Sequence, residues 1–60
     1  MENEYGGMTV NERLWVSGLM EQFNSAVLKR NVDKVTKILK EVELNEPNIN
    51  VILRQKGLIE

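Results

Sequence analysis

The stretch Val27-Leu28-Lys29-Arg30-Asn31-Val32-Asp33-Lys34 decides the fold. Two basic residues stand where the negative end of one helix dipole would lie, and Asp33 stands at the positive start of the next. Asn31 separates them. Asparagine tolerates the left-handed conformation used at helix C-termini and is also a favoured N-cap, so one residue suits both tasks. The reading is a helical hairpin hinged at Asn31. A turn this short forces its two helices antiparallel, stripe to stripe.

Downstream of the hinge, Val32, Val35, Ile38, Leu39 and Val42 share one stripe of a helix expected from Val32 to Glu43. Asp33, Lys34, Lys37, Lys40 and Glu41 take the other side. Upstream, apolar residues recur at helical spacing from Val10 to Arg30. Read as one continuous helix, this segment puts Trp15, Val16, Leu19, Met20, Phe23, Ala26 and Val27 on a broad core-facing stripe, with Trp15 packed under a third helix. Thr9-Val10-Asn11-Glu12 has the form of a capping box: the Thr9 hydroxyl accepts from the third helical N–H, and Glu12 reaches back to the N–H of Thr9. Gly18 falls inside the pattern, where it costs about 0.5–1 kcal/mol relative to alanine. A kink, or close approach of another backbone, is expected there.

Leu44-Asn45-Glu46-Pro47 breaks the second helix. Asn45 reads as an N-cap and Pro47 as a first-turn residue whose missing N–H is harmless. A short third helix, Pro47 to Lys56, presents Ile49, Ile52 and Leu53 on one face. Gly57 reads as its left-handed stop, with Leu58 folding back onto Leu53. Residues 1–7 have no periodicity and end in a Gly pair, so 1–8 reads as a flexible N-terminal tail and 9–60 as a single helical domain. The expected fold is all-α: an antiparallel helical hairpin plus a short third helix, a three-helix unit.

Sixty residues support one domain with a thin core, because a chain this short buries only about 60 % of the surface it exposes unfolded. The sequence holds neither Cys nor His. That excludes disulfides, thiol chemistry, imidazole catalysis and the usual zinc, haem and iron–sulfur ligand sets. No D-x-[DN]-x-[DN]-G calcium loop occurs either. Thr9, Ser17, Ser25 and Thr36 lack a histidine to activate them, and Glu41 and Glu43 would point about 200° apart on a helix. The expectation is a non-enzyme without metal or cofactor.

The net charge of −1 and the pI of about 5.4 argue against a general affinity for nucleic acid or anionic lipid. Lys29, Arg30, Lys34, Lys37 and Lys40 face Asp33 alone within residues 29–40. No aromatic residue is interleaved with them for base stacking, so the run reads as a solvated face. No apolar run approaches the ~20 residues needed to span a bilayer, and the first residues are acidic where a signal peptide would be basic. The expected location is the cytoplasm.

With chemistry set aside, function is sought on a surface. Leu14, Gly18, Glu21, Ser25 and Leu28 are spaced 4-3-4-3, on the side of the first helix opposite the expected core stripe. Small residues there permit close approach, and two leucines would otherwise face water. This seam is the candidate interface for a homodimer or a protein partner. A thin core without a staple favours self-association. Trp15 with Phe23 is a second possible anchor. Two alternatives stand beside this reading. Helix 2, the Asn45–Pro47 turn and a helix carrying Asn48, Asn50, Arg54 and Gln55 suggest a small DNA- or RNA-binding regulator of helix-turn-helix type, since Leu53 to Ile59 resembles the L-x-x-K-G-L-I ending that precedes the wing of winged-helix domains. The other is an antitoxin-like inhibitory subunit.

The order Asn11-Glu12-Arg13-Leu14, Gly18-Leu19, Phe23, Ala26, Asp33, Ile38-Leu39 and Val42-Glu43-Leu44 resembles a group of short, uncharacterised bacterial proteins sharing an N-E-R-L…G-L…F…A…D…I-L…V-E-L layout. The resemblance spans Thr9 to Leu44 and rests on helix-packing positions. It implies a bacterial, cytoplasmic helical hairpin and assigns no functional residue.

Overall fold

The computed structural model describes residues 6–59. Among them it holds four helices and no strand: α1 (Val10–Ser17), α2 (Met20–Leu28), α3 (Val32–Glu41) and α4 (Glu46–Gln55). The all-helical class is as expected, but the three-helix count is not. The helix read from Val10 to Arg30 is two helices, because Gly18 terminates α1 at φ 78°.

The physical reason is visible in burial. Leu14, Phe23 and Ala26 are all buried. In one straight helix Leu14 and Phe23 would point about 180° apart, so both cannot meet a core on one side. The left-handed residue breaks the phase and lets each helix turn its own stripe inward. The N–H of Leu19 then closes the end of α1 onto the carbonyl of Leu14 at 3.0 Å. A Cβ at Gly18 would meet nothing within 4 Å, so backbone conformation and not crowding requires the glycine.

Each of the other helices ends in the same way. Asn31 N–H reaches Ala26 at 2.9 Å, Leu44 reaches Leu39 at 3.2 Å and Leu58 reaches Leu53 at 2.9 Å. The left-handed residue is Arg30 (φ 56°) after α2, Glu43 (φ 67°) after α3 and Gly57 (φ 73°) after α4. The double task given to Asn31 is therefore shared. Arg30 takes the left-handed turn, and Asn31 serves as N-cap, its side chain accepting from the Lys34 N–H at 3.2 Å.

Three of the four helix starts follow the sequence closely, whereas α2 begins after Leu19 with no side-chain cap. Thr9 and Glu12 form the reciprocal capping box, with Thr9 N–H to Glu12 Oε1 at 2.9 Å and Glu12 N–H to Thr9 Oγ1 at 3.2 Å. Asn45 accepts from the Asn48 N–H at 3.2 Å, and Pro47 lies in the first turn. Of the expected tail 1–8, residues 1–5 lie outside the described residues, while Met8 packs against the core.

Packing is sequential: α1 lies on α2, α2 on α3 and α3 on α4. The core joins Leu14 and Phe23 to Val35, Leu39 and Val42 of the α3 segment and to Ile49, Ile52 and Leu53 of α4. The body measures 33 × 23 × 15 Å. Helices pack about 8–10 Å apart, so its thin dimension is only two helices deep. Two arginines add ties beyond these neighbours. Arg13 donates from Nε to the Met8 carbonyl (3.2 Å) and from Nη1 to those of Val42 (3.1 Å) and Glu43 (3.4 Å). Arg30 Nη2 donates to the Gly57 carbonyl at 2.8 Å. Each places a cation at a helix C-terminus, where carbonyls lack helical partners and the dipole is negative. Lys56 Nζ stands 5.9 Å from the centre of the Phe23 ring, joining the end of α4 to α2.

Non-glycine residues in the left-handed region carry a cost of about 1–2 kcal/mol, most of which glycine removes. Glu43→Gly is expected to raise the unfolding free energy by about 0.5–1 kcal/mol. Arg30→Gly is expected to gain nothing, because it also deletes the bond to Gly57. Urea unfolding of both variants checks the pair; an equal gain in both would contradict the role given to Arg30.

Candidate protein-contact surface

The seam read from the sequence does not survive as a surface. Leu14 is completely buried and belongs to the core. Gly18 is exposed, as the end of α1. Glu21 and Ser25 are exposed and line a polar hollow of about 320 Å³ with Lys29 and Lys34. Leu28 is 84 % exposed, one turn from Ser25 and beside the charged Lys29-Arg30 pair. The five share a face only if α1 and α2 are continuous, and Gly18 divides them. Glu21, Ser25 and Leu28 remain on α2, while Leu14 turns inward on α1.

The same break reverses the expectation for Trp15 and Val16. The helical spacing places both on the core stripe, whereas they are 76 % and 58 % exposed. With Leu14 turned inward, the next two positions of an eight-residue helix must face away. They leave an apolar corner where α1 meets α2. A groove of about 390 Å³ runs there between Met8, Trp15, Val16 and Met20, edged by Asn11 and Glu12. A second hollow of about 230 Å³ lies between Trp15, Gly18, Met20 and Glu21. Trp15 and Met20 line both, so the two clefts adjoin at these side chains. Met8 and Met20 are half-buried, their inner sides packed on the core. Thioether side chains adapt their shape to what they meet, which suits a contact surface.

Other faces are plainer. Lys34, Lys37 and Lys40 of α3 are exposed, as a solvated polar side predicts. On α4, Asn48, Asn50, Arg54 and Gln55 are exposed, with Glu46 on the first turn. One arginine gives little to hold a phosphate backbone. Gly57 and Leu58 are accounted for by the helix stop. Among the described residues no group of three or more carboxylates gathers where a metal ion could be held, and no helix is long and apolar enough to cross a membrane. No family model matches this chain, and comparison with curated proteins and with solved structures finds no relative.

The division of the seam has a direct mutational signature. Leu14→Ala removes a fully buried side chain and is expected to cost about 2–5 kcal/mol, much of the stability of a chain this small. Leu28→Ala is expected to stay within about 0.5 kcal/mol of the parent. Thermal unfolding followed by circular dichroism checks both; similar losses would restore the seam.

Proposed function

We propose that this protein is a non-enzymatic protein-interaction module whose contact face is the α1–α2 corner centred on Trp15. The observation that carries the reading is the exposure of the chain's one tryptophan beside an apolar groove, in a fold that buries Phe23. Fully burying a large apolar side chain gains about 1.5–3 kcal/mol, so leaving an indole in water forgoes a substantial gain. Tryptophan is also the residue type most enriched at binding hot spots, where it presents a large rigid surface at little entropic cost.

The contact face moves away from the seam Leu14, Gly18, Glu21, Ser25 and Leu28, of which Glu21 and Gly18 alone border the Trp15 hollows. On this reading α2 and α3 lie antiparallel across the three-residue connection Lys29–Asn31, forming the scaffold. Arg13 and the buried Leu14 hold α1 against it. An inhibitory subunit of antitoxin type is one kind of protein that such a module would be.

Trp15→Ala tests the reading. If the indole serves an outside partner, its loss leaves the unfolding free energy within about 0.5 kcal/mol of the parent, and parent fluorescence is that of a solvated indole freely quenched by acrylamide. A loss above about 2 kcal/mol would show that Trp15 packs within its own fold and would contradict the proposal.

A further inference from the structure

The rim of the Trp15 clefts carries charge of one sign. Their floor is apolar, and the only charged side chains among the residues lining the two are Glu12 and Glu21, both exposed. Arg13, the cation nearest in sequence, is engaged with the carbonyls of Met8, Val42 and Glu43. Lys29 and Lys34 share a separate polar hollow with Glu21, but no lysine lines either Trp15 cleft.

From this juxtaposition we infer that the Trp15 clefts receive the apolar stripe of a basic amphipathic helix from another protein. The inference rests on the interaction reading above and specifies its occupant. Apolar side chains one turn apart on a helix stand about 6 Å from one another, so one helix can offer side chains to two adjoining clefts that share Trp15 and Met20. The larger groove, at about 390 Å³, exceeds the cavity of ~150 Å³ that accepts a benzene ring, so it has room for a large aliphatic or aromatic side chain. Lysine or arginine heads flanking that stripe meet Glu12 and Glu21. Complementary charge of this kind speeds encounter and rejects like-charged partners.

The same charges disfavour the other occupants. A two-fold pairing of two copies through this corner sets the acidic rims against one another. An anionic membrane surface is repelled for the same reason.

The test titrates the full chain with two synthetic helical peptides of identical apolar positions, one flanked by lysine and the other by glutamate. Trp15 emission and backbone amide shifts of α1 and α2 report binding. The lysine peptide is expected to bind at least about tenfold more tightly than the glutamate peptide, with affinity falling as salt rises. Trp15→Ala is expected to weaken it by about thirtyfold, a hot-spot loss. Glu12→Gln together with Glu21→Gln is expected to weaken it about two- to twentyfold, because exposed charge pairs are individually modest. Glutamine keeps an oxygen for the Thr9 N–H, so the fold persists in that variant. Equal binding of both peptides overturns the inference. So does binding of neither with a dimer that Trp15→Ala dissolves, which would make a second copy the occupant and leave the interaction surface standing. Binding of neither by a monomeric chain, or a Trp15 shift on phosphatidylserine vesicles alone, also overturns it. The stability of Trp15→Ala judges the underlying reading separately.

Discussion

Gly18 ends α1 at φ 78°, and the N–H of Leu19 returns to the carbonyl of Leu14 at 3.0 Å. The consequences run through the whole molecule. With the helix ended, α1 is free to rotate its own stripe toward the core independently of α2. Leu14 therefore joins Phe23 and Ala26 among the buried residues, although a straight helix would set Leu14 and Phe23 on opposite sides. Trp15 and Val16 are turned to water by the same rotation. One backbone torsion thus decides what the core contains and which surface is left apolar.

The rest of the architecture repeats this device. All four helices close with an N–H reaching back five residues past a left-handed residue. At three of the four ends both partners are leucines: Leu14 and Leu19, Leu39 and Leu44, Leu53 and Leu58. In each pair the first is buried and the second packs against the core. The turns are therefore part of the core as well as the connections between its pieces. In a body two helices deep that matters, since no helix is enclosed on all sides and each end must be held from within. Arg13 and Arg30 complete the frame by offering guanidinium donors to the exposed carbonyls of α3 and α4 ends.

Much of this was legible in the sequence. The N-caps Thr9, Asn31 and Asn45, the stripes of α3 and α4, and the stop at Gly57 all follow from local chemistry, and local chemistry is what sequence displays. The end of α1 was harder because apolar spacing alone does not distinguish one helix from two in series. The signal was nevertheless present. Leu14, Gly18 and Leu19 have the same spacing as Leu53, Gly57 and Leu58, and Leu39, Glu43 and Leu44 share it with a non-glycine in the turn. A continuous helical wheel across Gly18 ignores this pattern and has the wrong phase for α1, exchanging Leu14 with Trp15. The long-range roles of Arg13 and Arg30 had no comparable sequence signal, because they depend on where distant helix ends come to lie.

The surface proposed for function is thus the counterpart of the core. An indole, two thioethers and a valine are gathered at one corner because the leucine beside them was drawn inside. The most direct test of the account is the sign of the stability change in Gly18→Ala. If Gly18 occupies a left-handed helix end, alanine is strained there and the unfolding free energy falls by about 1–2 kcal/mol, a shift of several degrees in Tm for a domain of this size. If the segment from Val10 to Arg30 is one helix instead, alanine replaces a helix-interior glycine and stability rises by up to about 1 kcal/mol, which would contradict the account.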